Sequence, residues 1–164
     1  MSKHYNTIKN LPFAKENSKL YKGPSINLAM IHGGEVYNKV PDYCKMSLDI
    51  RTLPEQNIDD IVLQIKNKVD CKIIISDTGD PVKTDINSPY VKKLKNVASQ
   101  FLDRDCILFG QHGSADTRFY SKDNILAVEF GSSGVNCHGN DEYVLIDTIT
   151  KYKNILKQYV KTFQ

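Results

Sequence analysis

The chain has 164 residues, which is enough for one ordinary domain or two small ones. Its hydrophobic fraction of 40% and charged fraction of 25% are those of a soluble globular protein. The formal net charge of +3 is modest and the lysines are scattered, so nucleic-acid binding is not indicated. No apolar run approaches the roughly 18 residues of a membrane span, and the first ten residues lack the apolar core of a secretory signal. We therefore expect neither a nucleic-acid nor a membrane partner.

The four cysteines are Cys44, Cys71, Cys106 and Cys137, and they are widely spaced. None forms a C-x-x-C pair, so the sequence predicts neither a zinc knuckle nor a disulfide framework. Three of them lie in strand-like segments, where the role of a small buried hydrophobe is the commoner one. Four cysteines without a disulfide or zinc-binding pattern fit a protein of the reducing cytoplasm.

Two alternating segments, 26–30 and 44–51, predict an antiparallel hairpin with one apolar and one polar face. Gly33 and Gly34 lie between them and tolerate the positive φ of a tight turn. We expect Arg51 to project from the polar face. The residues expected on the apolar face are Ile26, Leu28, Met30, Cys44, Met46, Leu48 and Ile50.

A helix is predicted next, because apolar residues recur at helical spacing after Pro54 and Asn57. A β-rich segment, 72–76, follows it. The first unit is thus predicted as strand, strand, helix and strand. Residues 77–87 contain Gly, Asp and Pro and are the candidate domain boundary.

The second half of the chain is predicted as helix, strand, strand and helix. Ser88 and Pro89 are a typical helix start. The strands are 106–110 and 125–130, and the last helix opens near Asp147. This order is consistent with part of an α/β layered domain.

Each of the two later strands is followed by a polar loop, where open α/β proteins place their sites. The first loop carries His112, Asp116 and Arg118, and the second carries His138 and Glu142. His112 receives no role, and Asp116 is interpreted as structural, such as a helix cap. Taken alone, His138 is better explained as an ordinary loop histidine. For Arg118, a surface position in a turn is about as good an explanation as a binding role.

Several segments together resemble one known family. HGSADTRF, ILAVEFG and CHGNDEYV resemble the C-terminal part of the zinc-dependent amidohydrolases and peptidases, which include acetylornithine deacetylase, succinyl-diaminopimelate desuccinylase, aminoacylase and the glutamate carboxypeptidases. MIHGGEVYNKVP and SLDIR resemble the lid, or dimerisation, domain of that family. The resemblance implies an α/β fold with an α+β lid. Residues 1–80 would be a partial lid with an antiparallel sheet and a helix, and 81–164 the C-terminal segment of an α/β layered metallohydrolase domain.

The resemblance also implies roles for five residues. His138 would be a metal ligand, and Glu142 would orient it from behind. Asn38 and Arg51 would contact the substrate or its developing oxyanion, and Arg118 would bind the substrate carboxylate. Without the resemblance, Asn38 could equally be a turn residue and Arg51 a solvated side chain.

The family's two-metal site takes zinc or another divalent metal, and this sequence lacks most of its motifs. It has no His-x-Asp, no bridging Asp and no Glu-Glu pair for the general base. We therefore expect no catalytic base in this chain and no activity from the chain alone. One interpretation is a fragment or split subunit that completes a hydrolase of N-acyl amino acids or peptides as a homodimer or with a complementing N-terminal half. The alternative is a non-catalytic dimerisation module or an inactive remnant.

Overall fold

The structure is a computed structural model that describes residues 2–102, 104–113 and 115–164. Within these ranges it contains helices and two antiparallel sheets of two strands each, so the expected α+β character is confirmed. None of the helices in the described ranges has the length and apolarity to cross a bilayer. In chain order the elements are α1 (Ser2–Lys9), a 3₁₀ turn (Pro12–Lys15), β1 (Ser25–Gly33), β2 (Cys44–Arg51), α2 (Ile58–Lys66), α3 (Pro89–Phe101), α4 (Thr117–Lys122), β3 (Gly134–Val135), β4 (Tyr143–Val144) and α5 (Ile146–Lys161).

The chain divides into two compact units. The first unit comprises the described residues of 1–81 and 109–114, and the second unit those of 82–108 and 115–164. Residues 109–114 thus belong with the first unit, although the sequence analysis assigned them to the later domain. The identification of the units as a lid and a catalytic segment stays a prediction.

The predicted hairpin is present, but its turn is not tight. Strands β1 and β2 pair antiparallel with Gly33 opposite Cys44, and residues 34–43 form the connecting loop. Gly34 has a φ of +80°. The glycine therefore starts a long loop, where positive φ is needed, and does not form a two-residue turn.

A β-bulge at Ala29 changes which side chains of β1 face the core. Leu28 lies opposite Leu48 while Met30 lies opposite Ser47, so Ala29 is the extra residue in this register. Because the extra residue inverts the alternation, Met30 turns to the other face and is 54% exposed. The expectation that Met30 shares the apolar face was wrong for this reason.

The apolar face of the hairpin is covered by α1, the 3₁₀ turn and α2. Asn57, which the sequence placed before the helix, caps α2: its Oδ1 accepts hydrogen bonds from the backbone N–H groups of Asp59 (2.8 Å) and Asp60 (3.2 Å). The buried cluster consists of Ile8, Leu11, Phe13, Ile61 and Val69, and it is flanked by Ile26, Met46, Leu48 and Ile50 of the sheet.

The core of the second unit is the contact between α3 and α5. Val97 and Ala98 of α3 pack with Ile155 of α5, and Ala98 and Ile155 are 0% and 2% exposed. Burial, and then the neighbouring Tyr90, raise the pKa of the Tyr159 phenol. The phenol donates to the carbonyl oxygen of Tyr90 at 3.3 Å.

The helix start at Pro89 is confirmed, but the predicted cap does not form. Ser88 occupies the N-cap position without a side-chain hydrogen bond to α3. Its Oγ is buried and has no partner within the described residues. A favourable residue type at a cap position thus does not guarantee the capping bond, which also depends on the Ser88 rotamer.

Three predicted strands form no ladder in the described part of the chain: 72–76, 106–110 and 125–130. Their composition suits a strand, but a strand also needs a neighbouring backbone to accept and donate its hydrogen bonds. The three segments leave Ile74, Ile107 and Ile125 exposed by 71%, 68% and 53%. The strand predictions were wrong here, because the composition of a segment does not show whether a second strand lies beside it to share hydrogen bonds.

We predict that Ile155→Ala lowers the free energy of unfolding of the second unit by about 2–5 kcal/mol, because a fully buried side chain is lost and leaves a cavity. Urea unfolding followed by circular dichroism measures this. Ile149→Ala on the same helix is the control, since Ile149 is 45% exposed and should cost much less. Equal losses for the two variants would contradict the assigned core.

Candidate functional site

The short hairpin β3–β4 carries the candidate metal ligand. Gly134 pairs with Val144 and Val135 with Tyr143. A Cβ on Gly134 would lie 2.6 Å from the carbonyl oxygen of Tyr143, so only glycine permits the strands to approach this closely. The hairpin presents the loop 136–142 to solvent.

His138 lies in this loop with a left-handed backbone. Its φ is +61°, and those of Asn136 and Asp141 are both +58°. Asparagine, aspartate and histidine adopt this conformation more often than other non-glycine residues, but it is uncommon for all of them. The backbone N–H of Gly139 donates to the Asn136 carbonyl oxygen at 2.7 Å and tightens the turn. Such an unfavourable conformation is typical of functional loops, which supports His138 as a site residue.

The residues around His138 do not by themselves fit a bound metal. His138, Cys137 and Glu142 are all exposed, and the described residues include no group of three or more His, Cys, Asp or Glu side chains that could hold an ion. A catalytic zinc needs about three protein ligands. The described residues therefore offer at most part of a metal centre.

Arg118 lies at the second position of α4 and is half-buried. Its guanidinium carbon is 4.9 Å from the centroid of the Phe119 ring. Asp116 occupies the N-cap position, but its side chain makes no capping bond. The backbone amides of residues 113–115 precede this helix and could assist anion binding by the sequence alone, but Ser114 lies outside the described residues.

Arg51 ends β2 and is engaged by a neighbour on its own strand. Its Nε lies 2.9 Å from Oδ2 of Asp49, and both side chains are well exposed. Residues two apart share a face of a strand, so this pair lies on the polar face of the hairpin, as expected. Asn38 is exposed in a turn of the loop 34–43.

The candidate residues are distributed over both units. Asn38 and Arg51 belong to the first unit, and Arg118, His138 and Glu142 to the second. Within each unit they lie on different elements: loop 34–43 and β2 in the first, α4 and the β3–β4 hairpin in the second. Their roles in one common site stay a prediction.

His112, which received no role from the sequence, has a structural one. Its Nε2 lies 2.9 Å from the carbonyl oxygen of Gly23, and its ring centroid is 5.1 Å from that of Tyr21. The N–H of Gly110 donates to the Leu20 carbonyl oxygen at 3.1 Å. A Cβ on Gly110 would lie 2.3 Å from the Tyr21 ring, which explains the glycine. These contacts connect two segments far apart in sequence, so no local pattern could reveal them.

Several known proteins are similar to this chain in sequence. Residues 1–73 match the model of a peptidase dimerisation domain. A probable succinyl-diaminopimelate desuccinylase of Staphylococcus aureus is 30% identical over 163 residues, covering 90% of this chain and 40% of that protein. The succinyl-diaminopimelate desuccinylase of a Sulfurovum species is 28% identical over 138 residues, covering 80% of this chain and 36% of that protein.

A solved structure is also similar. The M20 family metallo-carboxypeptidase of Sulfolobus solfataricus superposes with a TM-score of 0.67 and 19% identity. The match covers 98% of this chain and 45% of that one, and at this identity it shows the fold alone. The chain thus spans less than half the length of the relatives that it matches.

We predict that the left-handed backbone at position 138 determines how each substitution there changes the free energy of unfolding. His138→Gly should not lower the free energy of unfolding, because relief of roughly 1–2 kcal/mol of left-handed strain offsets the roughly 0.4–1 kcal/mol that glycine costs through the unfolded chain. His138→Val should be destabilising, since β-branched residues strongly disfavour positive φ. Urea denaturation gives the free energy of unfolding of each variant, and these values are then compared.

Asn140 is the matched control, because it lies in the same loop and is not among its positive-φ residues. There the order should reverse, with Asn140→Val tolerated better than Asn140→Gly. The same order at both positions would show that the φ of His138 is not the cause.

Proposed function

The chain belongs to the M20 peptidase family, and we propose that it forms part of a metal-dependent hydrolase of amide bonds in N-acyl amino acids or peptides. The similar proteins support this substrate class. The name of the curated relatives specifies a succinyl group on diaminopimelate, and that of the solved neighbour specifies a carboxypeptidase. An amide bond beside a free carboxylate is common to both.

His138 carries the proposal, as one ligand of a metal ion. It is exposed in the loop of a hairpin, in a left-handed conformation that is uncommon for non-glycine residues and occurs often at functional sites. A neutral imidazole binds zinc well, and zinc is the metal we propose. Bound there, the metal would polarise an amide carbonyl and activate water. Glu142 would orient the imidazole. The other ligands and the general base must come from residues outside the described part of this chain.

Arg118, Arg51 and Asn38 are the proposed substrate contacts. A guanidinium presents a planar fork that binds a carboxylate through two parallel hydrogen bonds. Packing beside Phe119 restrains the half-buried Arg118, which lowers the entropy lost when it binds. Arg51 would have to exchange its exposed pair with Asp49 for the substrate, an exchange that costs little because such pairs are weak.

We propose two partners and a compartment. One partner is a second copy of this chain, supported by the match of residues 1–73 to a dimerisation domain. The other is a complementing N-terminal half that supplies the missing ligands, supported by the share of the relatives' length that this chain does not span. The four cysteines, which are free in the structure, fit the cytoplasm.

A second function, a non-catalytic dimerisation module, is favoured by two observations. The matched family model describes dimerisation and not catalysis. In addition, the one substrate-binding arginine of the first unit is already paired with Asp49. In this case Arg51 would be a structural residue of the hairpin and the second unit would carry no activity.

We predict that this chain alone does not hydrolyse N-succinyl or other N-acyl amino acids. Activity should appear when it is combined with a polypeptide of the same genome that carries His-x-Asp and Glu-Glu. In that complete enzyme His138→Ala should abolish turnover, because a metal ligand is lost. Hydrolysis rates with and without added zinc measure this.

His32→Ala is the matched control, since His32 is an exposed histidine of β1 to which no role is assigned. It should retain full activity. Activity that survives His138→Ala would refute the ligand role, and no activity in any combination would favour the dimerisation module.

We predict that Arg118→Ala mainly raises KM in the complete enzyme. The loss should correspond to about 1.5–3 kcal/mol, the usual contribution of a hydrogen bond to a charged group. Arg104→Ala, an exposed arginine of the same unit, is the control. A substrate analogue in which an amide replaces the carboxylate should bind the unchanged enzyme and Arg118→Ala equally well. A larger loss with the amide than with the carboxylate would exclude this role of Arg118.

We predict self-association through exposed apolar residues of the first unit. Tyr37 is fully exposed and Val40 is 88% exposed, both in loop 34–43, and apolar surface of this kind favours association. Tyr37→Ser with Val40→Ser should shift sedimentation velocity profiles toward monomer. Lys39→Ser in the same loop should not. A chain that is monomeric at every concentration would argue against the homodimer.

A further inference from the structure

We propose that Thr148 is a positioning residue for His138. Its hydroxyl fixes the open end of the β3–β4 hairpin to the first turn of α5, and this attachment holds the loop of His138 in its left-handed conformation. The inference rests on the proposed function in one respect, namely that His138 is the side chain that the hairpin presents to a ligand.

The attachment is a small closed network of hydrogen bonds. Thr148 Oγ1 accepts from the backbone N–H of Ser133 at 3.0 Å and donates to the carbonyl oxygen of Leu145 at 2.6 Å. The N–H of Leu145 in turn donates to the Ser133 carbonyl oxygen at 2.9 Å. A hydroxyl has one proton to donate and lone pairs to accept, so both of its bonds form at once. A longer contact of 3.4 Å joins Thr148 Oγ1 to the Ser133 carbonyl oxygen.

The position of this network explains why it affects His138. Ser133 immediately precedes β3 and Leu145 immediately follows β4, so the network closes the hairpin at the end opposite the loop. Each strand has only two residues, and an isolated hairpin is marginal in water even with longer strands. Three non-glycine residues of the loop have positive φ. Such a conformation persists only where the surrounding structure enforces it.

Helix α5 gives the network a rigid base. Thr148 precedes Ile155 by seven residues, which places both on the same side of the helix. Ile155 is 2% exposed in the core that α5 forms with α3. The hydroxyl therefore connects the hairpin to the side of α5 that the core immobilises.

The experiment compares three variants of this chain by nuclear magnetic resonance, without metal. Thr148→Val removes the hydroxyl and keeps the shape. Thr148→Ser keeps the hydroxyl. Thr150→Val is the matched control, since Thr150 is an exposed threonine of the same helix whose side chain forms no hydrogen bond with the described residues. Two quantities are measured: amide exchange at Ser133 and Leu145, and the nuclear Overhauser effect between the amide proton and Hα of His138, which is strong when φ is positive.

Thr148→Val should accelerate exchange of both amides by roughly two- to tenfold, the factor expected for the loss of an ordinary hydrogen bond. It should also weaken the Overhauser effect of His138 as the loop leaves the left-handed region. Thr148→Ser and Thr150→Val should match the unchanged protein in both measurements. If Thr148 only capped α5, its loss would fray the helix end and leave His138 unchanged, which would overturn the proposal.

Thr148→Val could also unfold the whole second unit. In that case the unchanged protein provides the test, through exchange at increasing low concentrations of denaturant. The proposal requires the amides of Ser133 and Leu145 to open in one step, because one network protects both. Opening at clearly different free energies would overturn it.

These readouts fail independently of the proposed function. If His138 is not a metal ligand, His138→Ala leaves the complete enzyme active while the exchange and Overhauser results for Thr148 still hold. If Thr148 does not position the loop, the Thr148 variants show no change while His138→Ala still abolishes turnover.

Discussion

The need of every buried backbone group for a hydrogen-bond partner decides which apolar segments of this chain become sheet. Segment 25–33 has a partner within reach, since the loop 34–43 returns the chain as β2. Segments 106–110 and 125–130 have comparable composition but no ladder within the described ranges. In segment 125–130 a distant side chain bonds one residue of the backbone instead: Thr84 Oγ1 donates to the carbonyl oxygen of Ala127 at 2.6 Å and accepts from its N–H at 3.2 Å. A single threonine thus satisfies the backbone at one point of a segment that otherwise presents its apolar side chains to solvent.

Helices do not need a neighbouring segment, because their backbone hydrogen bonds lie within one segment. For this reason they could be predicted from the sequence. The apolar periodicity located α2, α3 and α5, and Asn57 and Pro89 located two of their starts. The bulge at Ala29 could not be predicted, because it depends on how one strand registers against the other. The contact of His112 with Gly23 could not be predicted either, since it joins residues 89 apart in sequence. Local periodicity therefore predicts elements, whereas contacts between elements need the structure.

In the candidate site, too, some features could be predicted from the sequence and others only from the structure. The ligand role of His138 was suggested only by the resemblance of CHGNDEYV to a known family, because taken alone the stretch fits an ordinary loop histidine. The positive φ of His138 was not recognisable, because this conformation is uncommon even for asparagine, aspartate and histidine, which adopt it more often than other non-glycine residues. Thr148 was missed altogether. A threonine near a helix start is read as an ordinary capping residue, and only its bond to Ser133 distinguishes it.

The two candidate arginines differ in how far the structure prepares them for a ligand. Arg51 and Asp49 are both well exposed, so water competes for their pair and a carboxylate ligand could replace it at little cost. Arg118 is half-buried against Phe119, so part of its conformational entropy is already lost before a ligand arrives. If both bind substrate, Arg118 should therefore contribute more to affinity, and Arg51 more to charge complementarity and the rate of encounter. This difference follows from the neighbours of the two side chains, an exposed carboxylate for Arg51 and an aromatic ring for Arg118, and not from their burial, which is intermediate for both. It therefore holds for any anionic ligand.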